Sequence, residues 1–167
     1  MSDLYREILV PRKTPVQNRL AKAGLIVLTV LGFLAGMLFG PLFLLVGLAG
    51  LLMCVFLMPR LEVEYEYLYV NGDLDVDAIY SRQKRKRVAE YHVDELEILA
   101  PEKSHALDSY RNKRDIKVRD FTSGDPSKKV YAMVMNKEKG QELVKVEIDE
   151  VVLGDLRRFA PRKVNLM

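Results

Sequence analysis

Apolar and polar residues alternate along this chain in three different rhythms, and each rhythm predicts a different kind of element. Residues 23 to 58, AGLIVLTVLGFLAGMLFGPLFLLVGLAGLLMCVFLM, are apolar on every side and carry no acid or base, Thr29 and Cys54 being the nearest to polar. A buried helix in a small domain needs only one apolar stripe, so a run of this kind predicts membrane insertion. As one helix it would be about 54 Å long against a hydrocarbon core of about 30 Å. Gly40-Pro41 lies near its middle and predicts a break, giving two short helices over residues 23–39 and 42–58. Gly32, Gly36 and Gly40 recur every four residues and predict a close-packed face on the first helix, with Gly47 and Gly50 opposite. A shallow re-entrant hairpin is the structural alternative to two full spans.

After residue 60 the rhythm changes to a period of two. LEVEYEYLYV, then Asn71-Gly72, then DLDVDAIY predicts a hairpin with a tight two-residue turn. Pairing Val70 with Asp73 sets Tyr69, Tyr67, Tyr65 and Val63 opposite Leu74, Val76, Ala78 and Tyr80 on one face. Glu62, Glu64, Glu66, Asp75 and Asp77 then share the other face, where Glu66 against Asp77 is a like-charge pair awaiting a basic neighbour. A four-residue loop over 82–85 would continue the sheet, pairing Ser81 with Lys86, Ala78 with Ala89 and Val76 with Tyr91, and placing His92 opposite Asp75. Residues 102–115 read as a long polar loop with a helical turn, 116–121 as a short strand, and 130–136 and 141–148 as a second hairpin. The third rhythm follows: Ile148, Val152, Leu156 and Phe159 mark one face of a helix over 149–160, capped by Asp149, with Arg157 and Arg158 in its last turn. The fold class expected is a membrane helical hairpin followed by a small mainly-β domain, a partly open barrel or bent antiparallel sheet of six or seven strands, with a C-terminal α-helix.

The domains expected are an N-terminal arm over 1–22, the hairpin over 23–58 and the β domain over 60–167. LYREILV in the arm reads either as a turn or two of interfacial helix stopped by Pro11 and Pro15, or as disordered. The 167 residues carry a net charge of +3, and all of it resides in residues 1–22, where Arg6, Arg12, Lys13, Arg19 and Lys22 outnumber Asp3 and Glu7. Residues 60–167 hold 21 basic and 21 acidic side chains, so the broad positive field that drives nucleic-acid binding is missing. Both flanks of the apolar run are positive, Arg60 among them, and the link at Gly40-Pro41 is uncharged; the positive-inside tendency places a multi-pass protein in the cell membrane with both termini cytoplasmic. The length of the run, and the 22 residues before it, argue against a cleaved signal peptide.

The stretch SRQKRKR is the sharpest local signal. Arg82, Lys84, Arg85, Lys86 and Arg87 fall at the tip that returns to the membrane-near end of the sheet, and are candidates for contact with anionic lipid head groups or a protein partner. The lone cysteine, Cys54, sits in the apolar run and forms no intrachain disulfide. Neither His92 nor His105 has a cysteine partner, Asp73, Asp75 and Asp77 alternate along a strand rather than converging, and Ser104, His105 and Asp108 read as a capped loop. No metal, cofactor or catalytic residue is therefore expected.

The order of two short membrane helices, strands around VEYEYLYVNGDLDVDAIY and RKRVAEYHVDELEIL, and the helix DEVVLGDLRRFAP resembles small bacterial membrane proteins with a pleckstrin-homology-like domain after a helical hairpin. Through YEYLYVNGDLDVD, RKR, DFTSG and PRKV the chain also resembles an uncharacterised family of small two-span membrane proteins from anaerobic Firmicutes. Eukaryotic members of the pleckstrin-homology fold often use a basic loop after the first strand for phosphoinositides, where this chain has the NGD turn and puts its basic cluster one hairpin later. The resemblance implies a platform for lipid or protein rather than a catalyst. The function expected is a non-catalytic, membrane-anchored interaction or scaffold module, with an accessory subunit of a larger membrane complex as the alternative.

Overall fold

The computed structural model describes residues 4–14 and 16–166, the side chain of Arg60 excepted, so that Asp3, Pro15 and the Arg60 side chain invoked above lie outside the described residues. The strands are β1 (Tyr5–Pro11), β2 (Val63–Val70), β3 (Asp73–Tyr80), β4 (Lys84–His92), β5 (Leu96–Pro101), β6 (Lys117–Asp120), β7 (Tyr131–Lys137) and β8 (Gly140–Val146). The helices are α1 (Val16–Phe39), α2 (Leu42–Leu57), α3 (Asp108–Arg111) and α4 (Glu150–Phe159). They form two compact units: Lys13–Val63 with Tyr80–Lys84, and the remainder, which holds both sheets and α4.

In the helical unit α1 and α2 pack antiparallel, because glycines let their backbones meet. A Cβ added at Gly32 would lie 2.6 Å from the Gly47 amide nitrogen, closer than any real Cβ contact. Gly36 lies against Leu44, Gly47 against Phe33 and Gly50 against Thr29. Thr29 Oγ1 donates to the Leu25 carbonyl at 2.8 Å and sits 3.6 Å from Cys54 Sγ, so the one polar pair of the apolar run is turned inward. Gly40 does not join this seam: nothing would meet its Cβ within 4 Å, and its φ of +118° serves the link between the helices. α1 begins at Val16, not near residue 23, since Gln17, Arg19, Ala21 and Lys22 are all good helix formers. The outer surfaces remain apolar and exposed, with Leu31, Leu34, Leu45 and Phe56 among the residues on them. Among the described residues α1 alone is long and apolar enough to cross a membrane by length and composition; α2 is an apolar helix of 16 residues.

In the second unit the largest departure from expectation is at the N-terminus. LYREILV is neither helical nor irregular; it is the edge strand β1, paired antiparallel with β2 from Tyr5 opposite Val70 to Pro11 opposite Glu64. Seven residues are too few for a hydrophobic period to separate helix from strand, and the unpaired edge of β2 decides the matter. One sheet has the order β1-β2-β3-β4, and the other β5-β7-β8-β6, in which β6 runs parallel to β8. The expected single antiparallel sheet or partly open barrel of six or seven strands is therefore corrected to two four-stranded sheets without closure.

The expected inner face of the first hairpin is the buried one: Tyr65, Tyr67, Tyr69, Leu74, Val76, Ala78 and Tyr91 all lie in the core. Their hydroxyls make the connection to the second sheet and α4. Tyr67 Oη donates to the Phe121 carbonyl at 2.7 Å and accepts from the Glu147 amide, Tyr69 Oη reaches Asp155 at 2.8 Å, and Tyr65 stacks edge-on to Phe121. Burial pushes the hydroxyls of Tyr67 and Tyr69 far above the ordinary tyrosine range, so they stay protonated donors. The second sheet is covered on both faces. Ala100, Ala132, Val134 and Leu143 meet Leu107 from the turn before α3, while Leu99, Met133 and Val144 are buried opposite. That double burial explains the unbroken apolar run of β7. Asp149 caps α4 by accepting from the Val152 amide at 2.9 Å, as expected, but the buried face is Val152, Leu153 and Leu156, and Phe159 points outward.

Two outcomes follow. Thr29→Cys should oxidise readily to a disulfide with Cys54, and adding Gly32→Val should slow that crosslinking sharply, since overpacking a seam costs about 1–3 kcal/mol. Tyr67→Phe should lower unfolding stability by about 1–3 kcal/mol in denaturant melts, because it orphans the buried Phe121 carbonyl and takes the acceptor from the Glu147 amide at once.

Candidate interaction surface

The basic stretch is split by a turn tighter than the loop its composition suggests. Ser81 and Arg82 have φ of +47° and +58°, and the Gln83 amide donates to the Tyr80 carbonyl at 3.1 Å. Two consecutive left-handed residues close the hairpin in the two-residue form that suits strand twist. The strand accordingly starts at Lys84, inside the expected 82–85 loop, and its alternation is shifted. Within the helical unit, Ser81 anchors this tip: its amide donates to the Glu62 carbonyl and its hydroxyl to the Pro59 carbonyl, each at 3.1 Å.

The shift carries Arg85 and Arg87 onto the acidic face of the first sheet. Arg85 pairs with Glu66 and lies 3.9 Å from Asp77, and Arg87 contacts Asp75 at 2.8 Å and Asp77 at 3.7 Å. The like-charge pair of Glu66 and Asp77 is thus relieved inside the domain. Both acids are deeply buried, at 4% and 5% exposure, although they sit on the face expected to be outward. Glu66 Oε2 and Asp77 Oδ1 accept no well-aligned hydrogen bond and face the guanidinium groups of Arg85 and Arg87. Burial, followed by a hydrogen bond to Glu7, raises the pKa of Glu66 above its usual 4.5, with Arg85 pulling the other way. Asp75 is raised mainly by burial, against Arg87. All five candidate basic residues keep exposed surface; Arg85 and Arg87 belong to this charge ladder, and the charge of Arg82 acts on Glu62.

His92 also lands one rung from its expected place. Its Nδ1 is 2.8 Å from Asp73, not Asp75, and that hydrogen bond raises its pKa from 6.5 against a smaller opposing effect of burial. Ser104 accepts from the Ala106 amide as a cap, and His105 is fully exposed beside Asp108, so these letters build a turn. Among the described residues no three of the His, Cys, Asp and Glu side chains are grouped to hold a metal ion. A groove of about 510 Å³ includes Glu90, Tyr91, Arg119, Lys137 and Glu142. Its charges are mutually engaged: Arg119 lies 3.4 Å from Glu142, Tyr91 Oη donates to Glu142, and Lys137 pairs with Glu95. Arg119 and Lys137 also donate to the Val88 and Glu90 carbonyls at 2.8 Å, which covers the free edge of β4. Sequence reasoning missed this capping, since the partners are remote in the chain.

A carboxyl with a raised pKa holds more proton in the folded state, so its contribution to stability falls as pH rises from the ordinary value through the raised one. Glu66→Gln removes that loss. Thermal melts at a series of pH values should show the variant gaining on the wild type as pH rises from 4.5 through that window, then holding a constant gap above it.

No curated protein and no solved structure matches the chain. A family model described as a bacterial PH-like domain (DUF6106) matches residues 2–166, a span that takes in the helices as well as both sheets. PH-like domains are in general interaction modules rather than catalysts. With two packed sheets, a C-terminal helix and nearly every residue within the match, the chain belongs to the bacterial PH-like domain family DUF6106.

Proposed function

We propose that the protein is a non-catalytic interaction module held in the cell membrane by α1 and α2, which cross as a hairpin and leave β1 and the rest of the β domain together on the cytoplasmic side. The observation that carries this reading is the β1–β2 ladder. Its strands flank the two helices in the chain and pair along their length, Pro11 facing Glu64. A single crossing would put β1 and β2 on opposite sides of a bilayer and forbid that pairing, so the number of crossings is even. Since α1 has the length and composition of a span, α2 is the return. Its 16 residues reach about 24 Å, a shortfall against a core of about 30 Å that local thinning and flanking side chains accommodate.

The exposed apolar surfaces of both helices support the same reading, because water would leave a continuous oily patch that lipid chains cover. Positive charge on both flanks favours the cytoplasmic side for the two ends. Membrane lipids are then the first partner, and a membrane or cytoplasmic protein docking on the β domain the second. Nucleic acid is not among the partners proposed, since the β part is charge-balanced.

The test is the sidedness of the two ends in native membranes. Small epitope tags at the N- and C-termini of the full chain should both be shielded from protease in intact cells and both be cut once the membrane is opened. Tags found on opposite sides, or a chain released from membranes by alkaline wash, would defeat the reading.

A further inference from the structure

The two sheets end in four edge strands, and three of those edges are guarded. On β4, Arg119 and Lys137 donate to the Val88 and Glu90 carbonyls. On β5, the Leu99 amide donates to the Lys163 carbonyl and the Leu99 carbonyl accepts from the Asn165 amide, each at 2.8 Å. β6 is only four residues long, and a short edge leaves little to pair with. β1 has none of these devices. It is seven residues long, its ladder with β2 runs without a bulge, it holds no lysine, and its one proline stands at the end.

The ladder fixes what this edge offers. Since the Leu4 carbonyl accepts from the Asn71 amide, residues 4, 6, 8 and 10 turn their backbone groups to β2, and Tyr5, Glu7 and Leu9 turn theirs away from it. Among the described residues nothing pairs with those outward amides and carbonyls. The same three residues share one face of the strand, where Tyr5 and Leu9 are 59% and 55% exposed. Glu7 lies between them, exposed, accepting from Tyr5 Oη at 3.3 Å and hydrogen-bonded to Glu66. Open donors and acceptors in a row, beside exposed apolar side chains, form a template for one more strand.

Charge decides what kind of strand. Glu7 and Glu66 are two acids in hydrogen-bond contact, and the Arg85 guanidinium reaches the pair through Glu66. A basic side chain set opposite Glu7 relieves that pair, whereas an acid there adds a third carboxyl. A second copy of this chain is disfavoured on the same ground. Antiparallel self-pairing that matches Tyr5 with Leu9 sets Glu7 against Glu7, and the next register sets Glu7 against Leu9.

We propose that the outer edge of β1 is the docking site for an extended segment of a partner protein, which joins the first sheet as a fifth strand with a basic side chain opposite Glu7 and apolar side chains opposite Tyr5 and Leu9. This rests on the interaction-module reading above and gives it a partner chemistry. Main-chain hydrogen bonds to the outward groups supply the affinity, and the face of alternate side chains supplies the choice.

The experiment uses the full chain in detergent and a fluorescent, end-blocked peptide in which threonine alternates with valine, arginine and valine in turn, read by anisotropy and by amide hydrogen exchange. The wild type should bind the peptide and exchange more slowly at Glu7 and Leu9 in its presence. Glutamate in place of the peptide's arginine should weaken binding by about fivefold or more, and Glu7→Lys should reverse that preference. Leu9→Pro removes an outward amide and no bond to β2, so it should abolish binding while the cooperative melt of the chain is kept, and N-methylation of the peptide backbone should do the same. A wild type that fails to bind, a Glu7→Lys chain that still prefers arginine, or Glu7 and Leu9 amides already protected by a second copy would overturn the docking site. None of these readouts depends on the side of a membrane that the domain faces, so the hairpin is judged separately by the tags.

Discussion

Between Pro11 and Glu64, which face each other across the β1–β2 ladder, the chain makes its whole excursion through two apolar helices. The hydrogen bonds of that ladder make the excursion a closed loop: whatever solvent the helices enter, they must return from it. The ladder also makes the first strand part of the β domain, so removing the N-terminal residues would open the edge of β2 as well as delete an arm. Leu4 strengthens the closure at its far end, where its amide donates to Asn71 Oδ1 at 2.9 Å and its carbonyl accepts from the Asn71 amide. The turn that joins β2 to β3 therefore also holds the start of β1.

The two central strands of the first sheet, β2 and β3, bury residues on both faces for two different physical reasons. Their inner face is covered by area and by tyrosine hydroxyls that find partners across the core. Toward the outside, Glu66 and Asp77 are shielded by the guanidinium groups laid over them. A carboxylate so placed is costly unless charge is supplied, and Arg85 and Arg87 supply it from the neighbouring strand. Arg85 and Arg87 of the basic stretch are in this way structural counterions.

The boundary between legible and illegible features follows range. Asn71-Gly72 announced its turn, and the alternation of Tyr65, Tyr67 and Tyr69 with Leu74, Val76 and Ala78 announced a shared face, because both are written within a few residues. Asp149 announced the cap of α4 for the same reason. The parallel placement of β6 on β8, the Arg119 and Lys137 caps on β4 and the exchange of Asp75 for Asp73 beside His92 join residues far apart or depend on one turn type. In the candidate site the five basic residues were visible as composition. The role of Arg85 and Arg87 as counterions was not, since left-handed angles at Ser81 and Arg82 moved the strand start into the expected loop.

What the sequence by itself determined is local. An uncharged run too long for one span and broken at Gly40-Pro41 makes two helices; glycines spaced by four make their seam; period-two patterning makes the first hairpin. Each follows from the solvation or steric demand of neighbouring residues. The tertiary structure alone decided that LYREILV is a strand, that the strands before and after the two helices in the chain pair with each other, and that Arg85 and Arg87 meet the acids of the first sheet. These depend on which distant edge or charge a segment meets, and a short segment with two accessible periodicities takes the one whose backbone and charge its neighbour can satisfy.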